Sequence, residues 1–131
     1  MKTRNFINLI LRLVVSLILL QTLYFKFTGH PDSVHIFTEL GIEPYGRIGL
    51  GIIELITAIL ILLSRTQIFG MIISLGIIIG AIGSHLLVLG INVSGDGGGL
   101  FGLAIVVFIC SSIYLIRQKK QIISLMNKIF N

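Results

Sequence analysis

Glu54 is the residue best placed to do chemistry, because it is a carboxylate inside the apolar run Gly46–Leu63. On a helix it lies about 12 Å from Tyr45, well within the hydrocarbon of a membrane. An isolated carboxylate there would take up a proton unless a cation or a hydrogen-bond donor keeps it charged. Arg47 precedes it on the same helical face, two turns nearer the end of the span. The arginine side chain leans toward the helix N-terminus, away from Glu54, so a partner from another helix is expected. His85 in the third apolar run and Lys26 at the end of the first fall at comparable depth, with Gln21 one turn deeper and Asp96 in a nearby Gly-rich connection. An ionisable side chain in a membrane is a functional hypothesis by default. Glu54, His85, Arg47, Lys26, Gln21 and Asp96 therefore form the expected ligand or proton site. They would line a polar pocket opening on one side of the membrane, where a His–Glu pair could relay a proton or hydrogen-bond a quinone carbonyl. The competing reading is that these groups are hydrogen-bonded glue between helices.

Such a site needs helices to hold it, and the composition supplies them. The 131 residues are 55% hydrophobic and 11% charged, and the mean hydropathy is +1.05. A soluble domain carries about a quarter charged residues, so a water-soluble globule is excluded. So is a nucleic-acid module, because the basic residues flank apolar runs and form no solvated patch. Four runs are long enough to cross a bilayer: about 6–27, 46–63, 68–89 and 98–116. The first reads as a retained helix and not a cleaved signal, since Arg12 interrupts it and it ends in Tyr24-Phe25-Lys26-Phe27, an interfacial aromatic belt. Ser64-Arg65-Thr66-Gln67 is the only break between the second and third runs, which makes them a tight antiparallel hairpin. The expected fold is all-α: a polytopic four-helix membrane bundle, one domain over 1–131, with a short outer-loop helix and a C-terminal amphipathic helix.

Four spans put both termini on one side. That side carries Lys2, Arg4, Arg12, Arg65, Arg117, Lys119, Lys120 and Lys128 with no acid, while Lys26 and Arg47 face Asp32, Glu39, Glu43 and Asp96 on the other. The positive-inside rule then makes both termini cytoplasmic in the cell membrane. Arg12, the one charge in the inner half, is expected to snorkel to the cytoplasmic interface. In the outer loop, Pro31 can start a helix, Gly41 can cap it and Pro44 stops it; Val34, Phe37 and Leu40 would lay one face on the bundle, leaving His35 in water. The tail 117–131 sets Ile122, Ile123, Met126, Ile129 and Phe130 on one face flanked by lysines, a pattern suited to an anionic leaflet.

Other motifs carry less. Gly76, Gly80 and Ser84 make a small-residue stripe, expected to pack inside the bundle. Gly49-x-Gly51-x-x-Glu54 resembles a dinucleotide fingerprint but has no strand before it. Gly95-Asp96-Gly97-Gly98-Gly99 lacks a phosphate-loop lysine and reads as a flexible turn. His30, His35 and His85 follow no metal-ligand spacing, so no metal site is assigned, and the single Cys110 forms no internal disulfide.

Several of these segments together resemble the DoxX-like membrane proteins. They are Leu20–Lys26, Thr28-Gly29-His30-Pro31-Asp32-Ser33-Val34, Gly46-Arg47-Ile48-Gly49 with Glu54-Leu55, Gly80-Ala81-Ile82-Gly83-Ser84-His85, Leu89-Gly90-Ile91 and the Gly-Asp-Gly-Gly turn. The resemblance covers about Leu13 to Ile116. It implies a mostly bacterial four-helix bundle in a terminal-oxidase or thiosulfate:quinone oxidoreductase setting, with Glu54 and His85 matching the family's in-membrane acid and histidine. Most members have no assigned reaction, and the lone Cys110 departs from relatives that handle dithiols. The function implied is a redox-associated subunit, accessory to a quinone-linked oxidoreductase, with quinone as the candidate ligand and a membrane redox complex or a second copy as partner. The alternatives are a non-enzymatic scaffold or assembly subunit and, behind both, a small transporter.

Overall fold

A computed structural model describes residues 2–131, without the side chains of Lys2 and Arg4, so those two members of the basic set lie outside the described residues. Six helices follow in order: α1 (Lys2–Thr28), α2 (Pro31–Glu39), α3 (Tyr45–Leu62), α4 (Gln67–Ser84), α5 (Gly99–Arg117) and α6 (Lys119–Phe130). A π-helical turn, His85–Leu89, continues α4. Asn5–Thr28, Tyr45–Leu62, Gln67–Leu89 and Gly99–Arg117 are long and apolar enough to cross a membrane. The lipid-spanning requirement explains why: with every backbone polar group bonded within its own helix, no edge is left unsatisfied in hydrocarbon.

The four long helices close a ring in the order α1, α3, α4, α5. Each buries one stripe at helical spacing and gives its remaining apolar residues to lipid. On α3 the stripe is Arg47, Gly51, Glu54, Thr57, Ala58 and Ile61, and on α5 it is Ala104, Val107, Ser111 and Tyr114. Val15, Leu19, Met71 and Ile78 complete the core. Small hydroxyl residues sit among them, and the Ser74 and Ser111 Oγ atoms lie 3.3 Å apart between α4 and α5. Small side chains let helix backbones approach closely where lipid offers no hydrophobic drive for association.

Both termini lie at one end of this bundle, the terminal end, where Arg117 Nε donates to Asn8 Oδ1 at 2.9 Å and Tyr114 donates to Gln67 at 2.7 Å. The α3–α4 hairpin turns at the same end. A Cβ placed on Gly70 would meet the backbone nitrogen of Ile61 at 2.7 Å, so glycine is what lets the two helices meet there. At the opposite, distal end, α2 rests on α1, α3 and the π-helical turn. Pro31 starts it after His30, Phe37 is buried against the bundle, and Gly41 follows it with φ of 76°. His35 is exposed.

One expectation is corrected. The Gly76–Gly80–Ser84 stripe does not pack inside the bundle: a Cβ at Gly76 or Gly80 would meet nothing within 4 Å. The buried stripe of α4 is Ile68, Met71, Ser74 and Ile78, and Gly76, two residues past Ser74, is turned about 200° from it. Arg12 reaches to the terminal end of α3. Its Nε and Nη2 donate to the carbonyls of Ile61 and Leu62 at 2.8 and 2.9 Å.

Candidate functional site

Glu54 and Arg47 both meet Lys26 in the distal half, one at its ammonium and the other at its backbone carbonyl. Lys26 Nζ lies 3.0 Å from Glu54 Oε2, and the two side chains are only 12% and 7% exposed. Lys26 comes from the last turn of α1 and Glu54 from the middle of the buried stripe of α3, so the pair ties two spans together across the bundle. Thr22, four residues before Lys26 on the same face of α1, places its hydroxyl 3.2 Å from Glu54 Oε2 and 2.8 Å from the Leu19 carbonyl. The hydroxyl has one proton and two acceptors in reach.

Arg47 belongs to the same cluster by a different route. Its Nε donates to both carboxylate oxygens of Glu43, at 2.9 and 3.0 Å, and its Nη1 donates to the backbone carbonyl of Lys26. That carbonyl is one of the last four of α1, which have no partner within the helix. Gly29, with φ of 68°, turns the chain beside this guanidinium; a Cβ there would lie 3.8 Å from Arg47 Nη1. Two ion pairs, Glu43–Arg47 and Lys26–Glu54, are thus linked through the backbone carbonyl of Lys26. The ring of Phe27 packs on α3 at Gly51, where a Cβ would lie 2.8 Å from it.

The remaining candidates lie elsewhere. His85 is 3% exposed; its Nδ1 bonds the Gly90 carbonyl at 2.9 Å and its ring meets Phe101 edge-on at 5.4 Å. No hydrogen bond or ion pair joins it to Glu54 among the described residues. Gln21 is exposed on α1, one residue round from Thr22, which does reach the carboxylate. Asp96 is exposed and serves its own loop: Oδ1 accepts from the amides of Val93 and Gly98 at 3.0 and 2.8 Å, and Oδ2 from Leu100 at 3.0 Å. These amides, Leu100 foremost and then Gly98, hold its carboxyl below the ordinary value of 3.8. His30 caps α2, its Nδ1 accepting from the Asp32 amide at 3.2 Å. Among the described residues no group of three His, Cys, Asp or Glu side chains could hold a metal ion.

Thr22 and Glu43 are the members of this polar cluster that the sequence reading did not place in it. Thr22 carried a signal in its spacing, four residues before Lys26 and so on the same face of α1, whereas Glu43 lies in the turn before α3, where no helical period marks it.

The sequence profile of the DoxX-like family matches residues 10–95, more than half of the chain. The chain belongs to the DoxX-like family. Within this DoxX-like protein the match takes in Thr22, Lys26, Glu43, Arg47, Glu54 and His85 and ends just before Asp96. No curated protein and no solved structure matches the chain.

Proposed function

We propose that this DoxX-like protein is a redox-associated accessory subunit of a membrane complex, holding a quinone or a similar carbonyl-bearing ligand at the Lys26–Glu54 pair. The observation that carries the reading is the ion pair itself: two opposite charges 3.0 Å apart, nearly withdrawn from solvent, between two membrane spans. Such a pair is costly to bury, and ionisable residues in spans mark ligand or proton paths. The lysine ammonium has three donors and can bond a carbonyl oxygen while still facing Glu54. Glu54 in turn accepts a proton or a ligand hydroxyl. Electrons come from the partner complex and not from this chain. Eight basic residues and no acid at the terminal end favour both termini in the cytoplasm, with the ion-pair cluster toward the outer face of the cell membrane.

The test is mass spectrometry of small molecules extracted from protein purified in mild detergent, for the native chain, Lys26→Met, Glu54→Gln and His85→Ala. A quinone retained by the native chain and lost from Lys26→Met and Glu54→Gln supports the reading. Retention unchanged in both overturns it. A scaffold role is the second reading, favoured by the way His85 and Arg47 are already engaged, by Gly90 and by Glu43 with the Lys26 carbonyl. It expects no bound ligand and variants that are only less stable.

A further inference from the structure

At the terminal end, a cavity of about 290 Å³ opens between the α3–α4 turn and α6. Its polar walls are Ser64, Arg65 and Gln67 on one side and Gln121 and Ser124 on the other, and Ile68 and Leu125 form its apolar part. That is at the lower edge of the range for ligand sites, about 300 Å³, which suits a single head-group phosphate and not a larger ligand. We propose that it binds the phosphate of a phospholipid whose head group carries a net negative charge, at the membrane surface.

Charge is the first argument. Among the described residues Arg65 is the sole charged one of the lining, and all five acids of the chain, Asp32, Glu39, Glu43, Glu54 and Asp96, lie in other segments. The other described arginines at this end are engaged: Arg12 by the carbonyls of α3 and Arg117 by Asn8. Arg65 is exposed, and among the described residues its guanidinium has no hydrogen bond or ion pair. A guanidinium fork matches phosphate oxygens in a bidentate way that a point charge does not.

Donor geometry is the second argument. Gln67 is spent on holding the turn: its Oε1 accepts from Tyr114 at 2.7 Å and its Nε2 donates to the Ser64 carbonyl at 2.9 Å. Ser64, Gln121 and Ser124 then supply hydroxyl and amide donors from both walls. The lipid source is favoured by position. The cavity lies at the junction of two spans, α3 ending at Leu62 and α4 starting at Gln67. On α6, Ile122 and Leu125 pack toward the core, while Ile123, Met126 and Phe130 are exposed, ready to lie among acyl chains as in an interfacial helix. Lys119 and Lys120 add positive potential at the start of the same helix.

The experiment is native mass spectrometry of the full chain from nanodiscs of phosphatidylcholine with or without phosphatidylglycerol, for the native protein, Arg65→Gln, Arg65→Lys, Gln121→Leu and Lys128→Gln. The native chain should retain one phosphatidylglycerol under activation that strips phosphatidylcholine. Arg65→Gln should weaken that retention about tenfold, as loss of one charge-assisted contact does. Arg65→Lys and Gln121→Leu should fall between, and Lys128→Gln should leave the specific adduct in place. A parallel arm adds inorganic phosphate to lipid-free protein in detergent: a melting-temperature rise that needs Arg65, without phosphatidylglycerol retention, keeps the phosphate site and assigns a soluble source. Equal retention of both lipids, or phosphatidylglycerol retention unchanged in Arg65→Gln and Gln121→Leu with no phosphate response, overturns the proposal. The Lys26–Glu54 cluster is at the other end of the spans, so quinone retention is read separately from this result.

Discussion

Replacing Glu54 by glutamine removes the carboxylate that faces the Lys26 ammonium at 3.0 Å. With side chains 12% and 7% exposed, the pair is shielded from water that would otherwise rehydrate the orphaned charge. Removing one partner of a buried pair costs about 3–5 kcal/mol, because the other charge stays buried. The lower end, about 3 kcal/mol, is expected here, since Lys26 is two residues from the end of α1 and a long lysine can reach toward the interface. That is a roughly hundredfold shift in the folding equilibrium. Lys26→Met should cost a similar amount, while the double variant Lys26→Met/Glu54→Gln should be more stable than either single one, since it leaves no unpaired charge. Thr22→Val, which removes only the 3.2 Å hydroxyl contact, should cost about 1 kcal/mol or less. Reversible unfolding in bicelles, followed by helical circular dichroism, measures all four variants. Additive single effects, within about 0.5 kcal/mol, would falsify the coupling.

Three further outcomes follow from the geometry. Arg12 on α1 bonds the last carbonyls of α3 and Arg47 on α3 bonds a last-turn carbonyl of α1, so Arg12→Leu and Arg47→Leu should each cost about 1.5–3 kcal/mol. Arg47→Lys should recover little of that, because lysine lacks the fork that spans Glu43 and the Lys26 carbonyl; melting temperatures in one detergent decide it. Gly70→Ala should destabilise by about 1–3 kcal/mol through its clash with the Ile61 backbone, whereas Gly76→Ala and Gly80→Ala should be neutral or stabilising by up to about 1 kcal/mol. Equal losses at all three positions would show that the outward face of α4 is covered. Asp96 is held below 3.8 in the folded chain, so its contribution is complete above about pH 4 and is lost as pH falls below that value. Asp96→Asn should therefore lower the melting temperature at neutral pH by the equivalent of about 0.3–1 kcal/mol, an exposed site being screened by solvent, and the difference from the native chain should close in acid.

Depth along a helix was legible in the sequence, and direction around it was not. Hydropathy sets the length of each span, so the four spans, the hairpin at Ser64–Gln67 and the capped helix after His30 could be read within a few residues. The DoxX-like resemblance was also readable, and the family match over residues 10–95 agrees with it. When nearly every residue of a span is apolar, however, the polar–apolar contrast that fixes a face in a soluble helix disappears. Gly76 and Ser74 have equal claim to the interior by composition, and only the packing of α4 against α3 and α5 separates them. The same loss of contrast explains Gln21 and Thr22: both are polar, adjacent and at the right depth, yet a turn of about 100° gives the Glu54 contact to the threonine. His85 and Asp96 show a second limit. Each has acceptors or donors within its own connection, the Gly90 carbonyl for His85 and three amides for Asp96, and such local bonds form without any long-range closure. Among the described residues the side chains of Lys26 and Glu54 have no partner in their own segments, and the ion pair between α1 and α3 is what satisfies both.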